Sequence, residues 1–245
     1  MAANDMAAKW DAFCDTLKAA GQELTQDHVP NDEQSQAEGL RYLSRMARAA
    51  LEWYVEFNDA AFPVLYQPAH ETIKLGADNP DNVYQKAVID GHFDYRLTGR
   101  RGSIDYISFA TSKGSYAENL KQIETGFLDS NALDMDADGN FEIVLSARTQ
   151  SGNWLPMDTK SESLLIRQTF LDRSIEVPAD LQIQRLDPSA TPEPLSSEKI
   201  TANFDKAMAF YRNTIGLFSQ WSKEIRNNPN RLLLWDQAFC QAVGG

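Results

Sequence analysis

Between residues 64 and 187 the sequence is broken into short apolar–polar runs punctuated by Gly, Pro, Asn and Asp, and none is long enough for a substantial helix. Phe93-Asp94-Tyr95-Arg96-Leu97 alternates, with Tyr95 between two apolar residues on one face. Ile104 to Phe109 is rich in β-formers, and Phe141 to Leu145 follows the turn dipeptide Asp138-Gly139. Leu164 to Phe170 and Leu181 to Leu186 are further strand candidates. Strands this short, with no long helices between them, predict an antiparallel β-sandwich or jelly roll.

Helical periodicity flanks this region. Trp10, Phe13, Leu17 and Leu24 share a face over residues 6–24. Asn31 and Gln34 have the form of a capping box, after which Leu40, Leu43, Ala47, Leu51 and Tyr54 recur at helical spacing up to Pro63. After a Pro-rich linker at 188–195, Ile200, Phe204, Met208, Tyr211, Ile215, Phe218, Trp221 and Ile225 step by three and four residues, a stripe expected to pack as core. A short helix is expected over Leu232 to Phe239. The reading is an α+β fold: N-terminal helices over 1–62, an antiparallel β core over 63–187, and a linker with C-terminal helices packed on that core over 188–245. At 245 residues the chain is long enough to bury nearly three-quarters of roughly 40,000 Å² of unfolded surface, which suits one large domain.

Charge narrows the partners. With 35 acidic and 23 basic residues the formal net charge is −12. The densest basic run, Arg96 to Arg101, is too short to make a phosphate-binding face, so nucleic acid and anionic membrane surfaces are disfavoured. No window has the length and apolarity of a membrane span, and residues 1–5 lack the charged and apolar regions of a signal peptide, so a cytoplasmic protein is expected. Cys14 and Cys240 lie near opposite ends and read as buried thiols rather than a disulfide framework.

Several runs carry a resemblance. Gly76 to Tyr84, Ile89 to Gly99, Gly152 to Met157, Leu165 to Arg173, and Leu51-Glu52-Trp53-Tyr54 ahead of Phe62-Pro63 resemble proteins carrying the domain of unknown function numbered 1214. The resemblance covers residues 36–175 and continues weakly into the C-terminal helix. It implies a stand-alone protein and a further C-terminal β segment that this sequence does not include. It implies no chemistry, and the chain has neither a phosphate-binding G-x-x-x-x-G-K-[ST] loop nor the kinase signatures.

The candidate groups come from the residues themselves. His92 sits between Asp90 and Asp94, where a carboxylate can orient an imidazole as general base; the alternative is a turn histidine. Asp78-Asn79-Pro80-Asp81-Asn82 is either a capped turn opening a short helix through Tyr84 or a site for a sugar, a hydroxylated substrate or a hard cation, with Asp81, Asn82 and Tyr84 foremost. Arg167, in an otherwise apolar strand, needs a partner: a substrate carboxylate, Glu142 or Asp172. Asn153-Trp154 offers an amide beside a stacking indole, or a loop anchor. Asp134, Asp136, Asp138 and Gly139 imitate the start of a calcium loop, but Leu145 replaces its closing Glu, so a hairpin turn is the better reading. No His spacing suits zinc or iron, and no metal or cofactor is expected. Ser196 reads as a helix cap.

Three functions compete. The first is a cofactor-independent lyase, isomerase or hydrolase on a small hydroxylated or cyclic substrate, with Asp81, His92, Tyr95 and Arg167 as its catalytic set. The second is a carbohydrate- or ligand-binding module, with Tyr84, Tyr95 and Trp154 stacking and Asn79, Asn82 and Asn153 hydrogen-bonding. The third is a structural protein whose helices form a homo-oligomer surface.

Overall fold

The computed structural model describes residues 3–118, 120–187 and 191–231. It is an α+β fold in which two four-stranded sheets stack as a sandwich without closing into a barrel. The strands are β1 (Asn82–Val88), β2 (Tyr95–Arg100), β3 (Tyr106–Lys113), β4 (Ile123–Asp129), β5 (Asn140–Ser146), β6 (Trp154–Pro156), β7 (Ser163–Thr169) and β8 (Asp180–Arg185). One sheet has the order β1-β7-β3-β4 and the other β6-β5-β2-β8. All pairings are antiparallel except β5 with β6, which is parallel.

Alternation builds the space between the sheets. Ile107, Phe109, Leu164 and Ile166 from the first sheet meet Tyr95, Leu97, Ile143 and Leu145 from the second, all of them buried. Phe109 and Phe141 touch edge-on across the gap with ring centroids 6.0 Å apart. The sheets approach tightly at Gly126 of β4, where a Cβ would lie 2.0 Å from the carbonyl oxygen of Pro156 in β6.

The helices are α1 (Ala3–Ala20), α2 (Glu33–Leu51) and α3 (Ser197–Asn227). They form a second apolar core with the segment carrying Tyr66 and Ile73. On α3 the expected stripe is buried at Met208, Tyr211 and Ile215, whereas Ile225 is exposed. The Ser196 hydroxyl caps this helix by accepting from Lys199 N–H at 3.1 Å, as expected. On α2 the buried line is Leu43, Met46, Ala49 and Ala50, so the expected stripe is rotated and Leu40 is 63% exposed. The cap is also one residue later than expected: the Asp32 carboxylate, not Asn31, accepts from Ser35 N–H at 2.9 Å. Cys14 is exposed, contrary to the buried thiol expected, while Cys240 and the expected helix over Leu232 to Phe239 lie outside the described residues.

After Leu51 the chain does not leave the helix in regular form. Glu52–Glu56 is a π-turn closed by Phe57 N–H donating to the Glu52 carbonyl at 2.9 Å. One residue more than an α-turn is held in that loop, and such insertions recur at functional sites. Here it directs Trp53 and Tyr54 into the protein, where Trp53 lies 4.7 Å from the Phe210 ring.

Two sequence expectations change at the β core. Asn82 to Tyr84 open strand β1, not a short helix, because their backbone pairs with Arg167 to Thr169 of β7. The turn at Asp136 to Gly139 is tight, with Gly139 at φ +79°. It links β4 and β5, which lie in different sheets, so it is not a hairpin. Asp136 Oδ1 accepts N–H groups of Asp138 and Asn140 at 2.9 Å each, which organises this turn. Among the described residues no His, Cys, Asp and Glu group of three or more is placed to hold a metal, and no helix is long and apolar enough to cross a membrane.

Candidate functional site

The outer face of the first sheet meets the helical core, and cavities lie at that junction. On β1, Val83 and Ala87 turn into the sandwich, which sends Tyr84 and Lys86 to the opposite, helix-facing side. On β7, Leu164 and Ile166 turn inward, and Ser163, Leu165 and Arg167 face the helices. Register aligns Tyr84 with Arg167 and Ser108, and Lys86 with Leu165 and Ala110. The short side chain of Ser163 borders open space between the sheet and the helices.

That space is a chamber of about 150 Å³ walled by Trp53, Leu75, Asp78, Tyr84, Leu165 and Phe218, with Lys86 and Arg167 at its polar side. A wider polar cleft of about 670 Å³ adjoins it, carrying Asp90, His92, Lys113, Glu118 and Glu162. Trp53, Lys86 and Ser163 line both.

Lys86 is fixed by its backbone. Its N–H donates to the Tyr66 carbonyl at 2.8 Å, and its carbonyl accepts from Tyr66 N–H at 2.9 Å. Its amine lies over the Trp53 ring, 5.8 Å from the centroid. Burial disfavours the ammonium and lowers its pKa to about 8, although the charge of Glu162 pulls the other way. Trp53 is 3% exposed, and its indole N–H has no hydrogen-bond acceptor among the described residues. A buried donor left in that state costs about 1–3 kcal/mol.

The expected catalytic set does not gather in one place. Arg167 lines the chamber. It does not meet Glu142, which lies on the other sheet and pairs with Arg96 at 3.1 Å; Asp172 is engaged by Ser174. The Arg167 charge instead reaches the phenols of Tyr116 and Tyr106, opposing the burial that pushes both upward. His92 stands at the cleft, its side chain 68% exposed, with Nδ1 2.7 Å from Asp90 Oδ1. Partial burial pushes the Asp90 carboxyl up, but the hydrogen bonds from His92 outweigh it, so the carboxyl titrates below its ordinary range. Asp94, the other carboxylate beside His92, is taken by Arg148.

Tyr95 and Asp81 stand apart from both cavities. Tyr95 is fully buried in the sandwich. Its hydroxyl donates to the Ala60 carbonyl at 2.9 Å and accepts from Asp90 N–H at 2.8 Å, and burial raises its pKa. It is a structural clamp. Asp81 is exposed at the chain reversal before β1, its N–H donating to Asn79 Oδ1 at 2.9 Å.

Of the expected ligand-binding residues, Tyr84 alone lines the chamber. Its hydroxyl accepts from Asn79 N–H at 3.1 Å and lies 3.4 Å from Asn82 Nδ2, so these two amides steady it from the turn. Asn153 is an anchor. It accepts from Asp134 N–H and donates to the Asp134 carbonyl, both at 2.8 Å, and also donates to the Glu142 carbonyl at 3.0 Å. Trp154 donates from Nε1 to the Ser146 carbonyl at 3.0 Å, on the other sheet.

The residues that sequence reasoning missed are Lys86 and Trp53. Lys86 carried the signal that singled out Arg167, a lone cation inside a strand. Gln85 beside it hid the alternation, because that inward-facing amide is satisfied by Gln168 Nε2 at 2.8 Å.

An uncharacterized protein from Burkholderia cenocepacia has a solved structure to which this chain is 48% identical, with a TM-score of 0.92. The match covers 97% of this chain and 66% of that one, so the chain spans just under two thirds of that relative's length. The two share their fold. A second solved structure, from Vibrio parahaemolyticus, is 15% identical with a TM-score of 0.34, covering 66% of this chain and 47% of that one. No family profile and no curated protein matches the chain.

Proposed function

We propose that the chain binds a small hydroxylated or cyclic molecule in the chamber beside Lys86 and acts on it as a cofactor-independent enzyme of the lyase, isomerase or hydrolase type. The observation that carries this reading is the convergence of Trp53, Tyr84, Lys86 and Arg167 on one partly apolar cavity. Apolar walls with a few placed polar groups are the usual makeup of a small-molecule site. We also propose that the chain belongs with the proteins carrying the domain of unknown function numbered 1214. Three of the runs behind that resemblance supply the chamber walls: Trp53 from the first, Ala77, Asp78 and Tyr84 from the second, Leu165 and Arg167 from the third. A sugar platform built from Tyr84, Tyr95 and Trp154 is less well supported, since the three rings occupy different parts of the fold.

The test is a thermal-shift screen of hydroxylated and cyclic metabolites against the chain and an Ala77→Trp variant. Ala77 is an exposed residue at the chamber wall, so a bulky ring there blocks the space with little damage to the core. A compound that raises the melting temperature of the parent but not of Ala77→Trp supports the site. Equal stabilisation of both removes it.

A further inference from the structure

We propose that Lys86 is a nucleophile that condenses with the carbonyl carbon of a small aldehyde or ketone held in the chamber. This rests on the reading above that the chamber receives a small molecule, and it names the chemical class.

The placement of the amine makes the case. Lys9, Lys113 and Lys199 each meet a carboxylate at 2.7–2.9 Å. The Lys86 side-chain amine makes no hydrogen bond or ion pair among the described residues and rests against the Trp53 ring instead. It stands where the chamber and the cleft meet, so an apolar body can lie on one side of it and water on the other. Desolvation supplies free amine: with a pKa of about 8, about one molecule in ten is neutral at pH 7, against about one in 3,000 for an ordinary lysine. The indole face also favours a cation, and an iminium formed there is one.

The step balances within the site. The amine lone pair forms the C–N bond, and the carbonyl oxygen takes both amine protons and leaves as water into the cleft. The imine nitrogen then takes up a solvent proton. Glu162, the carboxylate whose charge acts on the amine, lines the cleft through which water and protons pass.

The experiment is reductive trapping of the whole chain with glycolaldehyde and cyanoborohydride at pH 7, followed by peptide mass mapping. Lys86 is expected to be alkylated at least about tenfold faster than Lys74, an exposed lysine of the same chain. A Lys86→Arg variant should lose the fast label and keep the slow ones. Labelling of Lys86 no faster than Lys74 overturns the proposal, and that comparison needs only the parent protein. If Lys86 is slow while Ala77→Trp still abolishes metabolite stabilisation, the covalent step falls and the binding site stands. If Lys86 is fast while the metabolite shift is indifferent to Ala77→Trp, the reactive amine stands and the chamber reading falls.

Discussion

The Lys86 amine and the Trp53 ring lie 5.8 Å apart across the junction of the two cores, an ammonium held against an aromatic face in place of a carboxylate. The sign of its effect on stability follows from the lowered pKa. Below about pH 8 the amine is charged in both folded and unfolded chains, and the folded state bears the desolvation in full. Between about 8 and the ordinary 10.5 the folded chain gives up its proton first and the penalty fades. Lys86→Met is therefore expected to stabilise the protein at pH 7 by up to about 3 kcal/mol, with the gain shrinking towards pH 10.5. Scanning calorimetry of both proteins across that range checks it; a variant that melts lower at pH 7 contradicts it.

Gly126 makes the opposite prediction. A methyl group at this position would sit 2.0 Å from the Pro156 carbonyl oxygen, which is backbone and cannot swing aside. Gly126→Ala should cost about 1–3 kcal/mol by forcing β4 away from β6. Urea unfolding should show a lower midpoint at an unchanged slope.

Asn153 separates scaffold from site. Its side chain closes three hydrogen bonds between the turn before β5, β5 and the start of β6. Asn153→Ala should lower stability by about 1–3 kcal/mol, since the partner backbone groups lose their bonds. Any compound found in the metabolite screen should bind that variant with unchanged affinity, whereas Tyr84→Ala should weaken it at least tenfold. Isothermal titration of the two variants distinguishes the roles.

Acid should unfold the chain through the aspartates that cap α2 and organise its turns. Hydrogen bonds from Ser35 to Asp32, from Asn131 to Asp129, from Asn140 to Asp136 and from Ser174 to Asp172 hold these carboxyls below their ordinary 3.8. Their contribution is complete above that value and is lost as the pH falls through the lower folded values. The urea midpoint is expected to stay level from pH 7 to about 4.5 and to drop below about pH 4. Asp136→Asn should make the drop shallower.

What could be read from the sequence was whatever local residue pattern dictates. Ile104 to Phe109 is rich in β-formers and Leu164 to Phe170 opens on three apolar residues, and both overlap observed strands. β1 escaped because both its faces carry polar groups for tertiary reasons: Gln85 answers Gln168 inside, and Lys86 faces a cavity outside. Arg167 stood out as a cation in an apolar strand and Tyr84 through the acidic-amide cluster before it, and both line the chamber. The same reasoning also gave weight to Tyr95 and Asn153, whose polar atoms satisfy backbone groups far along the chain. Spacing alone does not separate a polar group serving the scaffold from one serving a ligand.

The π-turn at Glu52–Glu56 makes the chamber depend on chain length as well as on residue identity. Each residue of an α-helix turns by about 100°. Deleting one residue between Leu51 and Phe57 would let the helix close regularly and swing the indole at position 53 off the sheet, even if Tyr84, Lys86 and Arg167 were untouched. A one-residue gap at this place in a related chain is thus a sharper sign of a lost pocket than any single substitution in its walls.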